Sequence, residues 1–332
     1  MVLFSAVVTA TAAELVYRAF RNRLYHGQVA RFPVDTWLLL PDNPREFRLP
    51  PNRNGHMRSG VDQSKSTAYR TNADGFRGRE IGEKRDGVPR IAVVGDSYTF
   101  GWAVPDGKAY PERTEALLHE AGRDVEVLNL GIPGYNTVQE WLLLAEVMPR
   151  YHPDVVVLGY SMNDAEPQAN VPPFPATTYR YARSWLWEDC KELIVRLYPS
   201  AARWLAVQKL IPTNNYLPGF QPESPKWRES REALGRIAAL CRQEHTTLLV
   251  LILPDFTQRF DAAYPDTVIH EAVSRWGREL GIETVDLLPR FRNLDHLEYM
   301  VVGDGHPNER AHAAIAAALR DKLLRLVAER LT

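Results

Sequence analysis

Between residue 90 and the end of the chain, short apolar runs alternate with segments of helical periodicity. The runs occupy 90–94, 125–130, 154–159, 247–253 and 282–287. The helical patterns occupy 110–121, 137–148, 227–244, 264–280 and 308–330. Runs of this continuously apolar kind are typical of strands in a parallel sheet that is covered on both faces. Because parallel strands need crossover helices, the alternation predicts a three-layer α/β/α, doubly wound, mostly parallel sheet.

The rest of the chain predicts additions to this sheet. At 332 residues and 45% hydrophobic content, the chain can bury one substantial core and carry an appended region. Residues 24–89 contain many Pro, Asn, Arg and Gly residues and little periodicity, which predicts an extended N-terminal arm. The α/β domain is then expected over 90–332, with an insertion at 165–225 that is rich in Pro, Trp and Tyr. That insertion has two interpretations: a lid or substrate wall whose aromatic rings stack on sugars, or a small satellite core.

The N-terminal region has two interpretations as well. Residues 1–13 are uncharged but shorter than the roughly 20 apolar residues that a membrane span needs. We therefore expect residues 1–23 to form either part of a membrane anchor or an amphipathic helix packed on the domain. Residues 1–90 contain 15 Lys/Arg against 9 Asp/Glu, a balance that suits contact with an anionic membrane surface or a solvated arm. Within the arm, residues 71–80 have the composition of a tight turn, which either rims the active site or is purely structural.

One strand end carries a candidate nucleophile. The run Ile91–Val94 ends at Gly95 and places Ser97 directly before a Tyr-Thr-Phe-Gly turn. Ligands of open α/β sheets bind at the carboxyl ends of the strands, so Ser97 is expected at that rim. Ser161 in Gly-Tyr-Ser-Met-Asn imitates a nucleophile elbow, but its last position is Asn163 instead of a glycine. The pattern therefore favours Ser97 over Ser161.

Three further segments follow in the order of a known family. LNLGIPGYNT at 128–137 contains two glycines, VVVLGYSMND at 155–164 ends in Asn163-Asp164, and DGHPNERAH at 304–312 contains Asp304 and His306. Together with GDSYTFG, these segments resemble the four blocks of the SGNH, or GDSL-type, hydrolases. The resemblance covers roughly residues 90–325 and implies a flavodoxin-like sheet and ester chemistry.

The resemblance also implies roles for individual residues. Ser97 corresponds to the nucleophile, His306 to its general base and Asp304 to the carboxylate that orients the imidazole. The Ser97 N–H, the Gly134 N–H and the Asn163 side-chain amide correspond to the oxyanion hole. The chain departs from the family at one point, because the usual spacing is Asp-x-x-His and this sequence has Asp304-Gly305-His306. Either Gly305 lets Asp304 fold back onto the ring, or another group such as Asp286 orients it.

The expected function is hydrolysis of a carboxylic ester through an acyl-enzyme, with O-acetyl groups on carbohydrate as the candidate substrate. Two alternatives stay open: acyl transfer to an envelope polysaccharide, and a carbohydrate-binding module without catalysis, which the short Asp-x-His spacing favours. Neither a cofactor nor a metal is expected, because the sequence contains no GxGxxG after a strand, no HExxH and no Cys/His cluster. The formal net charge of −1 gives no case for nucleic acid. Partners are thus limited to the ester substrate and, through the N-terminus, a membrane, and the cell envelope is the expected location.

Overall fold

A five-stranded parallel sheet forms the centre of the protein in the computed structural model. The structure describes residues 12–17, 40–42, 45–58, 66–165, 216–301 and 304–330. The strands of the central sheet are β5 (Arg90–Gly95), β6 (Glu126–Gly131), β7 (Val155–Tyr160), β8 (Thr247–Ile252) and β9 (Glu283–Asp286). They are hydrogen-bonded in the order β6-β5-β7-β8-β9, and every pair is parallel. The predicted doubly wound α/β fold is confirmed, and its strand order is the flavodoxin-like one.

Seven helices accompany the sheet within the part of the chain after residue 90 that the structure describes. They are α1 (Ser97–Phe100), α2 (Tyr110–Glu120), α3 (Thr137–Tyr151), α4 (Pro225–Gln243), α5 (Thr267–Glu279), α6 (Leu288–Phe291) and α7 (Glu309–Arg330). Helices α3, α4 and α5 bury apolar side chains in one core cluster, and α2, α6 and α7 bury theirs in a second cluster. The two clusters lie on opposite faces of the sheet, which gives the three layers.

The strands supply both faces because successive side chains point in opposite directions. In β5, Ala92 and Val94 belong to the first cluster, whereas Ile91 and Val93 belong to the second. All four are 0% exposed, so neither face of this strand can hold a polar side chain without loss of packing. This burial explains why the strands are continuously apolar in sequence.

The N-terminal arm is more regular than its sequence predicts. It contains two antiparallel pairs, β1 (Leu40–Asp42) with β2 (Glu46–Arg48), and β3 (Asn54–Arg58) with β4 (Ser66–Arg70). The expected arm thus contains short strands over 40–70 that its sequence does not indicate. The strands are short and polar, so the period-2 pattern that identifies a strand is too weak to be recognised.

The arm packs onto the domain near its functional edge. The Tyr135 hydroxyl donates to the Phe47 carbonyl at 2.6 Å, and the Gln139 side chain donates to the Arg45 carbonyl at 2.8 Å. The Tyr69 ring contacts the Phe100 ring edge-on, with centroids 5.5 Å apart. The arm is thus part of the core that supports helix α1.

Several predictions lie outside the described residues. Most of the insertion at 165–225 does, and so do residues 1–11 and 18–39. Residues 12–17 are helical. Among the described residues, no helix combines the length and the apolar character needed to cross a bilayer. The division into anchor, arm and catalytic domain stays a prediction.

Candidate active site

The carboxyl ends of the three central strands lie level with one another. Gly95 is paired with Gly131 on one side and with Gly159 on the other, so β5, β6 and β7 reach the rim in register. The strand order reverses at β5, because β6 is added on one side of it and β7 on the other. Open α/β sheets bind ligands at such a switch point. The segments carrying Ser97, Gly134 and Asn163 begin here, two to four residues beyond these glycines.

Close packing at this rim requires glycine. A Cβ added to Gly131 would lie 2.2 Å from the Phe100 amide nitrogen, a distance that no side chain tolerates. Helix α1 therefore rests directly on the end of β6, which brings the Ser97 segment and the segment leading to Gly134 together.

Ser97 is the first residue of α1. Asp96 caps this helix, with its side chain accepting a hydrogen bond from the Tyr98 N–H at 2.8 Å. As a first-turn residue, Ser97 has a backbone N–H without an intrahelical acceptor, so this group is available to a ligand. The Ser97 side chain is partly exposed, whereas Asp96 is buried. The cap thus fixes the serine while leaving its hydroxyl accessible.

His306 connects the serine to a carboxylate. Its Nε2 lies 2.9 Å from the Ser97 Oγ, and its Nδ1 contacts the Asp304 Oδ1. Because Nδ1 faces a carboxylate, the proton of the neutral ring belongs on Nδ1, and Nε2 is free to accept the serine proton. This is the geometry that general-base activation of a hydroxyl requires.

The short Asp-x-His spacing is accommodated by the residue between the pair. Gly305 has φ +90°, a conformation that side chains disfavour, and the Asp304 Oδ1 also accepts the His306 backbone N–H at 3.3 Å. Burial alone would raise the pKa of the Asp304 carboxyl. The charge of His306 and the hydrogen bonds from His306 and Trp102 outweigh burial and hold that pKa below its usual value. Asp304 is therefore an anion at neutral pH.

Asp286, the alternative orienting group, has a different partner. Its Oδ1 lies 2.6 Å from Nδ1 of His270, a buried histidine of α5. The same oxygen accepts the Leu288 N–H at 2.9 Å. Asp286 thus caps the turn after β9 and orients His270 instead of His306.

The proposed oxyanion donors occupy the neighbouring segments. Gly134 is partly exposed, has φ +84° and lies two residues before Asn136, which caps α3 with a capping box. Asn163 follows β7, and its Oδ1 accepts a hydrogen bond from the Ser161 hydroxyl. A side-chain hydrogen bond also joins Asn163 to Asp96, beside the serine. Ser97, His306 and Asp304 are in direct contact in the structure, and Asn163 is linked to them through Asp96. Gly134 makes no hydrogen bond with Ser97, His306, Asp304 or Asn163.

Ser161 is buried behind the site and contacts two of its residues. It is 1% exposed, and its hydroxyl contacts the Asp96 Oδ2 at 3.0 Å in addition to Asn163. No histidine contacts this hydroxyl within the described part of the chain. Its position is that of a bridge between the helix cap and the Asn163 amide.

A group of buried acids that the sequence does not predict lies behind the rim. Asp96, Glu140 and Asp164 are at most 2% exposed, and both carboxylate oxygens of Glu140 lack a hydrogen-bond partner among the described residues. Burial raises the pKa of all three, and their mutual repulsion raises the pKa of Glu140 and Asp164 further. Glu140 occurs in a helical pattern, where a glutamate is usually solvated, so no sequence signal identifies it. Among the described residues, no group of His, Cys, Asp and Glu side chains is arranged to hold a metal ion.

Comparisons with known proteins show what the chain is similar to. Residues 93–314 match the profile of the GDSL-like Lipase/Acylhydrolase family. A 75-residue stretch is 32% identical to a protein named arylesterase from Vibrio mimicus, and it covers 23% of this chain and only 38% of that protein.

Solved structures of similar fold are more distant in sequence. The crystal structure of TesA is 16% identical, with a TM-score of 0.45, over 69% of this chain and 94% of that one. The psychrotrophic esterase EstA from Pseudoalteromonas sp. is 12% identical, with a TM-score of 0.44, over 72% of this chain and 98% of that one. A two-domain esterase (CEX) active on acetylated mannans is 14% identical, with a TM-score of 0.45, over 72% of this chain and 49% of that one.

Proposed function

The chain belongs to the GDSL-like lipase/acylhydrolase family, and on that premise we propose that it hydrolyses carboxylic esters through an acyl-enzyme on Ser97. The observation that carries this proposal is the 2.9 Å contact between the Ser97 Oγ and the His306 Nε2, with Asp304 on the opposite nitrogen of the ring. A serine hydroxyl is a weak nucleophile until a base removes its proton, and the contact supplies that base.

The reaction begins with attack of the Ser97 Oγ on the ester carbonyl carbon while His306 takes the hydroxyl proton. Asp304 stabilises the imidazolium that forms. The carbonyl oxygen becomes an oxyanion, and we assign its stabilisation to the Ser97 N–H, the Gly134 N–H and the Asn163 amide. His306 then returns its proton to the leaving alkoxide, so the C–O bond breaks and an alcohol departs. Water, deprotonated by His306, then attacks the acyl carbon. The bond from that carbon to the Ser97 Oγ breaks, His306 returns the proton to the Oγ, and the acid departs.

For the alcohol part of the substrate we propose a carbohydrate that carries O-acetyl groups. The support comes from sequence, because the segment after Asn163-Asp164 is rich in aromatic residues that can stack on sugar rings, including Trp185, Trp187 and Trp204. For the same reason we keep the envelope, where such polysaccharides occur, as the proposed location, with membrane contact through the N-terminus.

The test measures hydrolysis of p-nitrophenyl acetate and acetate release from acetylated oligosaccharides, with Ser97→Ala as the inactive control. Turnover of both substrates by the native protein supports the proposal, and turnover of the aryl ester alone would reject the carbohydrate part. The competing transferase predicts acyl transfer to an added sugar acceptor under conditions where acetate release is slow. Hydrolysis that is unaffected by Ser97→Ala would contradict the acyl-enzyme.

A further inference from the structure

Trp102 contacts both members of the Asp304–His306 pair. Its indole Nε1 donates to the Asp304 Oδ2 at 3.1 Å, which is the carboxylate oxygen that His306 does not use. Its ring lies beside the imidazole, with centroids 5.7 Å apart and planes tilted by 44°. The side chain is 8% exposed, so water competes little for this hydrogen bond.

The hydrogen bond from Trp102 to Asp304 matters because the chain segment between Asp304 and His306 is short. Only Gly305 separates the two residues, and a glycine restrains the backbone less than any other residue. The bond from Trp102 fixes the second oxygen of the carboxylate, so that Oδ1 keeps facing Nδ1 of the ring. Tyr98 covers His306 on another side, with ring centroids 5.6 Å apart. The imidazole is thus held between two aromatic side chains.

Trp102 also joins the two halves of the site. Its backbone N–H donates to the Ser97 carbonyl at 2.9 Å, while its indole reaches a loop 202 residues further along the chain. One residue is therefore hydrogen-bonded both to the turn that carries Ser97 and to the Asp304 carboxylate.

Arg77 in the N-terminal arm fixes the backbone around Trp102. Its buried guanidinium donates to the carbonyls of Phe100 at 3.0 Å and Gly101 at 2.5 Å, which precede Trp102. It also donates to the Val104 carbonyl at 2.6 Å, which follows it. The turn at 71–80 thus acts on the site through the backbone that carries the indole.

We infer that Trp102 is a positioning residue for the reaction: its indole N–H holds the Asp304 carboxylate in line with His306, in place of the longer loop found in the family. This inference rests on the proposed function of Ser97, His306 and Asp304. It goes beyond that function because it adds a residue outside the set formed by Ser97, His306 and Asp304.

The test is a double-mutant cycle on hydrolysis of p-nitrophenyl acetate. Trp102→Phe keeps an aromatic ring and removes the N–H. Because this N–H donates to a charged carboxylate, we expect Trp102→Phe to lower kcat by about 10- to 100-fold, with little change in KM. In an Asp304→Ala background, where the acceptor is gone, the same substitution should change kcat by no more than about twofold. Trp227→Phe is the matched control, because Trp227 is also 8% exposed and belongs to α4, and it should leave kcat within about twofold.

Two results would overturn the inference. The first is a kcat for Trp102→Phe equal to that of Trp227→Phe, and the second is an equal loss in the Asp304→Ala background. If Trp102→Phe folds poorly by circular dichroism, benzothienylalanine at position 102 replaces the N–H by sulfur within nearly the same shape, and the same losses are expected.

Failure of the proposed function has a different signature. In that case the native protein hydrolyses no ester. The NMR resonance of the His306 Nδ1 proton then tests whether Trp102 positions the Asp304–His306 pair, independently of activity. Replacement of Trp102 by Phe should shift or broaden this resonance, and Trp227→Phe should not. A resonance that is identical in all three proteins would overturn the inference.

Discussion

Replacing Arg77 tests how strongly the N-terminal arm supports the active-site turn. The Arg77 side chain is 1% exposed and donates to the carbonyls of Phe100, Gly101 and Val104. It also forms an ion pair with Asp106 at 3.1 Å and lies over the Phe100 ring at 5.1 Å. Arg77→Met keeps the apolar stem and removes every one of these polar contacts.

The expected loss of stability follows from burial. Three carbonyls lose a donor, and a buried acceptor left unsatisfied costs about 1–3 kcal/mol. The Phe100 and Gly101 carbonyls keep longer hydrogen bonds, from the Asn129 side chain at 3.4 Å and the Val104 N–H at 3.3 Å, so the full cost applies only to the Val104 carbonyl. Removing one partner of a buried ion pair costs about 3–5 kcal/mol, although Asp106 is itself 36% exposed and can be rehydrated. These costs do not simply add, because Arg77→Met also removes the free-energy cost of burying the charged guanidinium. We therefore expect the free energy of unfolding to fall by about 3–5 kcal/mol.

Arg70 offers a matched control because it pairs with the same carboxylate. Its Nε lies 3.5 Å from the Asp106 Oδ2, but its side chain is 70% exposed. Arg70→Met should therefore reduce the free energy of unfolding by about 0–1 kcal/mol. Urea denaturation followed by circular dichroism measures both variants against the native protein. Losses that differ by less than about 1 kcal/mol would refute the assignment of Arg77 as a buried support.

Three further predictions concern the site and the acids behind it. Asn163→Ala should lower kcat by about 10²–10³ with a modest change in KM in steady-state ester hydrolysis, and a rise in KM alone would mark Asn163 as a substrate contact. Asp304→Asn should lower kcat by about 10⁴, because the wrong imidazole tautomer is then favoured, whereas a loss of tenfold or less would identify Asp304 as mainly a cap. Burial raises the pKa of Glu140 well above its usual 4.5. Above pH 4.5 the unfolded chain therefore releases a proton that the folded protein keeps, so the free energy of unfolding decreases as the pH rises. Glu140→Gln should make the free energy of unfolding fall less steeply between pH 5 and pH 8 in urea titrations, and parallel profiles would contradict this.

The sheet and the position of Ser97 could be predicted because they depend on local patterns. A strand buried on both faces must be apolar throughout, as in Ile91–Val94, and the residues after it must lie at the rim. The order of the four sequence blocks then identified Asn163 and His306 as candidates. Gly95 is paired with Gly131 and Gly159, so the three strands end level with one another at the rim. The sequence only implies this alignment.

Other parts of the site depend on contacts that sequence patterns do not encode. The approach of Asp304 to His306 depends on the positive φ of Gly305, which the spacing of the two residues does not by itself specify. Trp102 and Arg77 act across 202 and 23 or more positions of the chain, so no local pattern connects them to their partners. Glu140 follows the usual composition of a helix, and only its complete burial reveals that it is unusual.

The most direct test of the central claim is mapping of the residue that a fluorophosphonate probe modifies, by mass spectrometry of the labelled protein. An activated serine reacts with such a probe, whereas a hydroxyl that only donates a structural hydrogen bond does not. The structure predicts one adduct on Ser97, abolished by Ser97→Ala, strongly slowed by His306→Ala and retained in Ser161→Ala. An adduct on Ser161, or a rate of labelling at Ser97 that is unchanged by His306→Ala, would contradict the claim that His306 activates Ser97.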